Sequence, residues 1–183
     1  MLRQLFTLLT VGFVFGGALG VWSELAWAHS MYQSAVLLDF RGNTVQAELQ
    51  LPVDRLSISF RQTVDEEHFA GERSALQTYV LAHVHPVTPD GQSFSVKFVS
   101  MGIQTVEKAP YLVVHLVFTP PSGMNADLFT LNYDVITHEI VTHVVLVSIR
   151  SDSNAHIPLN DPLLIGVIRA ERKSVVVDRM RVL

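Results

Sequence analysis

The chain has 183 residues, a formal net charge of −4 and no cysteine. The lack of cysteine excludes a disulfide framework, a thiolate metal site, a cysteine nucleophile and a lipid-anchored cysteine. Lysine and arginine are scattered rather than gathered into a stripe interleaved with aromatic residues, so nucleic-acid binding is not expected.

The first predicted element is a secretory signal peptide over residues 1–28. One early positive charge precedes a long apolar run, and Ala26-Trp27-Ala28 supplies the small residues that signal peptidase accepts. Cleavage after Ala28 leaves His29 at the amino terminus of a single domain over residues 29–183. We therefore expect an exported, periplasmic or otherwise extracytoplasmic protein, which is membrane-tethered if the leader stays attached.

Strands are predicted by alternation of apolar and polar side chains. The clearest lies over residues 44–51, where four apolar side chains share one face, and residues 129–135 repeat the pattern. Residues 111–118 and 141–149 are apolar on both faces, which indicates strands covered on two sides. Four shorter candidates complete the set: residues 35–40, 94–99, 163–168 and 174–177.

One segment has the period of a helix. Residues 72–84 contain good helix formers, and their apolar residues share one face of a 3.6-residue repeat that ends before Pro86. Residues 54–60 are expected to add a short helical turn after Pro52. Turns rich in glycine, proline and asparagine separate the strands, at residues 41–43, 89–91, 120–123 and 159–162. The predicted fold class is mainly β, an antiparallel Ig-like β-sandwich with one short helix.

Histidine is unusually frequent for a chain that lacks cysteine. Neutral imidazole is the commonest metal ligand, and an exported domain can meet copper, nickel or zinc. The eight histidines are His29, His68, His83, His85, His115, His138, His143 and His156.

His29 is the most specific metal-ligand candidate. After cleavage at Ala28, its α-amine and its imidazole belong to one residue and can chelate one ion together. The α-amine titrates near pH ~8, so a metal displaces its proton under mild conditions. The alternative is that His29 is merely the first residue after the cut and binds nothing.

His83 and His85 are the second candidate pair. Residues i and i+2 share a face only on a strand, so the pair can chelate an ion only in that conformation. The predicted helix instead puts His83 near its end and His85 just beyond. There a histidine is favoured by the helix dipole without any metal.

His138-Glu139 and His143 do not form a zinc-protease motif. The motif needs histidines four residues apart on a helix. These histidines are five residues apart, in a segment rich in β-branched residues, which favour strands. His115 and His143 are instead expected to be hydrogen-bonded residues inside apolar strands. A polar cluster is possible where two strands connect, formed by Asp134, Thr137, His138 and Glu139.

The sequence carries no recognisable catalytic motif. There is no G-x-S-x-G nucleophile turn and no glycine-rich phosphate loop. The adjacent carboxylates at residues 65–67 lie in a polar stretch that predicts a solvated loop. We therefore expect a protein that is not an enzyme.

Several strings of residues resemble the exported N-terminal domain of HupE/UreJ-type membrane proteins of bacteria. The strings lie at residues 28–31, 34–39, 47–52, 79–83, 129–136 and 144–152. The resemblance implies an accessory role in nickel or other metal transport for hydrogenase or urease, beside a bundle of transmembrane helices with an H-x₄-D-H motif. That motif is absent from the sequence through Leu183, so transport is not assigned to this chain. The chain is then either a stand-alone version of the domain or a shortened form of a longer protein.

These observations predict an exported, non-enzymatic accessory module. Its expected metal ligands are His29, His83 and His85, and the ion is copper, nickel or zinc, with no single cofactor indicated. Its expected partners are a divalent metal ion and a membrane protein such as a HupE/UreJ-type permease. Two alternatives remain open: a protein-interaction ectodomain whose histidines are structural, and a copper oxidase that uses an N-terminal histidine.

Overall fold

The structure, a computed structural model, describes residues 32–153 and 157–182. The predicted signal peptide over 1–28, His29 and His156 lie outside these residues. The elements in chain order are β1 Ser34–Arg41, β2 Thr44–Pro52, α1 Val53–Phe60, α2 Phe69–Leu81, β3 Val84–Val87, β4 Ser95–Val106, β5 Ala109–Thr119, β6 Leu128–Tyr133, β7 Val145–Asp152, β8 Ile157–Ile168, β9 Ser174–Asp178 and a 3₁₀ turn Arg179–Val182. The fold is mainly β, as expected.

The strands form two sheets. The larger has six strands in the order β4-β5-β2-β1-β7-β8, and the smaller has three in the order β3-β6-β9. The expectation of purely antiparallel pairing is wrong at one place, because β1 pairs with β7 in parallel. Every other pairing between the described strands is antiparallel. The parallel pair joins strands that are distant in sequence, and alternation within each strand carries no information on its direction.

One hydrophobic core receives side chains from both sheets and both helices. The alternation in β2 is confirmed, since Val45, Leu49 and Leu51 are completely buried. Phe118 of β5 meets Phe129 of β6 with ring centroids 6.5 Å apart, so the two sheets contact each other through this core. Among the described residues, no helix is long and apolar enough to span a bilayer.

The helices differ from the prediction in number and in extent. The turn expected over residues 54–60 is the helix α1, so the described chain holds two α-helices rather than one. The predicted helix over 72–84 is displaced to Phe69–Leu81. It ends earlier because Val84 to Val87 pair with β6 as the short edge strand β3. Pro86 is tolerated there because an edge strand does not need every N–H.

Two strand boundaries also differ from the prediction. The segment over 141–149 becomes a strand only from Val145, and the preceding residues form turns. The turn expected at 159–162 instead lies within β8, where Ile149 pairs with Leu163 but Ser151 pairs with Pro158. The pairing register shifts between these two pairs, so the turn-forming residues are accommodated without ending the strand.

Gly166 of β8 allows the two sheets to approach each other closely. A Cβ atom added there would lie 2.6 Å from Cγ1 of Val175 on β9, well inside van der Waals contact. We expect Gly166→Ala to lower the free energy of unfolding by about 2 kcal/mol, because valine is stiff and cannot turn away. Urea unfolding measures this difference.

Gly102→Ala is the matched control, since Gly102 also lies in a strand and an added Cβ there meets no atom within 4 Å. The double variant Gly166→Ala/Val175→Ala should lose less stability than the sum of its single variants. Equal stability losses in Gly166→Ala and Gly102→Ala would contradict the close approach.

Candidate functional site

The candidate site forms where three segments meet. His83 lies in the turn between α2 and β3, and Asp134 follows β6 directly. The backbone N–H of Asp134 donates to the carbonyl of His83 at 3.2 Å, which ties the two turns together. Lys173 immediately precedes β9, the strand on the other side of β6.

A compact turn after β6 brings His138 to the same place. The N–H of His138 donates to the carbonyl of Asp134 at 3.1 Å. Ile136 within this turn is completely buried and has a positive φ of 69°, a conformation that is uncommon for a β-branched residue. Its N–H donates to the hydroxyl of Tyr79 on α2 at 3.3 Å. The helix therefore holds the turn in a shape that its own residues do not favour.

His83 and His138 stack on each other. Their ring centroids are 4.2 Å apart and their planes differ by 17°. Tyr79 covers the pair from α2, with centroids 4.9 Å from His83 and 5.8 Å from His138. One potential ligand atom from each of His83, Asp134 and His138 lies within 4.8 Å of the others. The described part of the chain holds this one group of three potential metal ligands.

Asp134 orients both imidazoles. His83 Nδ1 lies 2.7 Å from Asp134 Oδ1, and His138 Nδ1 lies 2.9 Å from the carbonyl oxygen of Asp134. A carbonyl and an ionised carboxylate only accept hydrogen bonds, so we assign the proton of each neutral ring to Nδ1. Each Nε2 then keeps its lone pair. A ligating histidine usually has this arrangement, with its second nitrogen held by a carboxylate or a carbonyl.

The carboxyl group of Asp134 is ionised. Partial burial by itself raises the pKa of Asp134, but the hydrogen bonds from His83 and Lys173 and the positive charge of Lys173 outweigh it, so the net pKa is lowered. Lys173 Nζ lies 3.0 Å from Asp134 Oδ2. The side chains of Asp134 and His83 keep 27% and 22% of their surface exposed, which leaves the cluster open to ions from solvent.

The predicted pair of His83 and His85 does not form. His83 precedes β3 and His85 lies within it, so the two do not share a strand face. The exposed His85 donates from Nε2 to the carbonyl of Ala82 at 2.9 Å. It lines an open depression of about 200 Å³ together with Asp134 and Lys173, but it is not among the three clustered ligands. His29 lies outside the described residues.

The polar cluster suggested by the sequence is confirmed in part. Asp134 and His138 take part in the site, whereas Glu139 pairs with Arg61 at 2.8 Å. Thr137 is buried and its hydroxyl has no hydrogen-bond partner among the described residues. Lys173 was not predicted, because an exposed lysine in a turn carries no distinctive pattern.

His115 and His143 lie outside the candidate site. His115 lies in β5 as predicted, on the face that carries Glu48. His143 precedes β7 rather than lying inside it, and its Nε2 is 2.8 Å from the hydroxyl oxygen of buried Ser34. His143 and His138 are therefore held by different partners.

No family model matches the sequence, and no curated protein matches it.

Proposed function

We propose that this chain is an exported, non-enzymatic accessory module that binds a divalent metal ion between His83 and His138, with Asp134 as the third member of the site. One observation carries the proposal. Two stacked imidazoles have their Nδ1 atoms held by Asp134, which leaves both Nε2 atoms available to an ion.

The donor atoms select the class of ion. Two imidazole nitrogens suit copper, nickel or zinc. Calcium and magnesium prefer a full set of oxygen ligands, which this cluster does not provide. A structural zinc site usually closes four protein ligands around the ion, so two imidazole donors fit an ion that is exchanged.

An accessory role fits the surroundings of the cluster better than catalysis does. The Tyr79 hydroxyl accepts the N–H of Ile136, and the Lys173 ammonium is paired with Asp134. Burial raises the pKa of Tyr79, so its hydroxyl stays protonated at neutral pH. Neither group is free to act as a general acid or base beside a bound ion.

The proposal also includes an Ig-like sandwich fold and an extracytoplasmic location. The shared core of two sheets supports an Ig-like sandwich. The leader over 1–28 supports export, and the strings that resemble HupE/UreJ-type domains support a membrane permease as the partner that supplies or receives the ion. Most of these strings fall on β1, β2, β6, β7 and the end of α2. His29 is kept as an additional candidate ligand, effective only if the processed chain begins there.

Calorimetric titration of the purified, tag-free protein with Cu²⁺, Ni²⁺ and Zn²⁺ tests the site. We expect one ion per chain, and His138→Ala should weaken its affinity by about 100-fold, since a ligand is lost. His115→Ala is the matched control, because it removes a histidine from the face of the larger sheet. Its affinity should equal that of the wild type.

Three results would redirect the proposal. If His138→Ala binds ions as the wild type does, the cluster is structural, and the interaction ectodomain becomes the better hypothesis. If only His29→Ala loses copper, in a protein whose mass shows a start at His29, the N-terminal chelate is the site. Oxidised sugars released from a polymer by the copper-loaded protein and peroxide would favour the oxidase.

A further inference from the structure

Lys173 is held beside the proposed metal site by its own backbone. The N–H of Tyr133 donates to the carbonyl of Lys173 at 2.9 Å, which places the lysine next to Asp134. Its ammonium then reaches Asp134 Oδ2 at 3.0 Å, and half of the Lys173 side chain remains exposed. The lysine therefore brings a positive charge to the edge of the site.

Both carboxylate oxygens of Asp134 are thereby occupied. Oδ1 accepts from His83 at 2.7 Å, and Oδ2 accepts from Lys173. The bond to His83 holds the imidazole in the orientation that ligation through Nε2 requires. The ammonium of Lys173 is therefore fixed to the carboxylate that orients a proposed ligand.

We propose that the positive charge of Lys173 opposes metal binding and keeps the affinity of the site low enough for release to a partner. This inference rests on the proposed function. The ammonium is held at Asp134 Oδ2 beside the two imidazoles, so its charge repels a divalent cation that binds to them. Because half of the lysine side chain is exposed, solvent screens part of this repulsion, and the site stays usable.

The experiment compares the Ni²⁺ and Zn²⁺ affinities and dissociation rates of the full chain with those of Lys173→Met. We expect Lys173→Met to bind about tenfold more tightly, mainly through slower dissociation, as the repulsion between a unit and a double charge near a protein surface predicts. Lys173→Arg keeps the charge and should show no gain. Lys173→Gln provides a second neutral variant if the methionine impairs folding.

Lys97→Met is the charge-matched control, because it removes the same charge from β4 of the larger sheet. Its affinity should match the wild type. If the wild type binds ions through His138 but Lys173→Met and Lys173→Gln bind equally or more weakly, this inference is wrong and the metal site survives. If no variant shows binding that depends on His138, the proposed function is overturned together with this inference.

Discussion

Replacing Arg179 with methionine is expected to lower the free energy of unfolding by about 4 kcal/mol, the largest effect we predict for any single substitution in this chain. The guanidinium, on the 3₁₀ turn after β9, is nearly completely buried. Its Nε donates to Asp152 Oδ2 at 2.5 Å, and its Nη2 donates to the other oxygen of the same carboxylate. Methionine would keep most of the volume but remove the charge.

The reason for the large effect is the carboxylate left behind. Asp152 on β7 is only 4% exposed, so its charge loses the guanidinium that compensates it inside the protein. Arg179 Nη1 also donates to Asp127 at 2.9 Å, and the guanidinium lies 5.1 Å from the centroid of the Phe40 ring. One side chain thus joins β9, β7, β1 and the loop before β6.

Urea unfolding of Arg179→Met beside Arg172→Met measures the effect. Arg172 is exposed in the turn before β9, and its substitution should change stability by less than about 0.5 kcal/mol. Arg179→Lys should fall between them, because it keeps the charge but loses the two-pronged contact. The double variant Arg179→Met/Asp152→Leu should recover part of the loss. Similar stability in the two methionine variants would refute a structural role for the buried pair.

Acidification is expected to destabilise the fold through His143, by up to about 3 kcal/mol once the pH is below the folded-state pKa. Burial, helped by the positive charge of Arg55 and opposed by Asp54, lowers the pKa of His143 from 6.5 to about 4. The folded protein therefore holds His143 neutral, whereas the unfolded chain takes up a proton near pH 6.5. The free energy of unfolding falls as pH drops through 6.5, and the loss is complete below about pH 4.

The structural cause is the contact between His143 and Ser34. The buried hydroxyl of Ser34 is 2.8 Å from His143 Nε2, and the Ser34 N–H donates to the carbonyl of Val144 at 3.1 Å. These bonds attach the start of β1 to the segment that leads into β7. A charged imidazole at this position would lose its hydration without gaining an anionic hydrogen-bond partner among the described residues.

His143→Gln separates this effect from the titration of carboxylates. Glutamine can still accept from Ser34, so we expect a cost of about 1 kcal/mol at pH 7. Urea unfolding at pH 7, 6, 5 and 4 measures the free energy of unfolding of both proteins. The stability of the wild type relative to His143→Gln should fall as the pH falls. A constant difference between the two proteins over this range would show that His143 does not carry the pH dependence.

The local elements were largely predictable from the sequence. The alternation in β2 and β6 depends only on which side chains are apolar, because successive residues in a strand point to opposite faces. Successive apolar residues in β5 point to both faces, which indicated a strand that is covered on two sides. The short strand β3 escaped prediction, since four residues that include Pro86 give too few alternating positions. Residues 141–144 were mistaken for strand because β-branched residues also occur in turns that tertiary contacts hold in place.

The candidate site was predictable only in its parts. His83 was expected as a ligand, and Asp134 and His138 were expected to share a polar cluster. Nothing within either segment indicated that the two would meet, because the turn before β3 and the turn after β6 are far apart in the sequence and come together only when β3 pairs with β6.

The sequence by itself determined most of the strands and which of their faces are apolar, since both follow from side chains a few positions apart. The tertiary structure alone decided that β1 runs parallel to β7, that two imidazoles stack at 4.2 Å and that Lys173 reaches Asp134. The physical reason is that these contacts join residues far apart in the chain. Their positions depend on how the whole core packs rather than on any local periodicity.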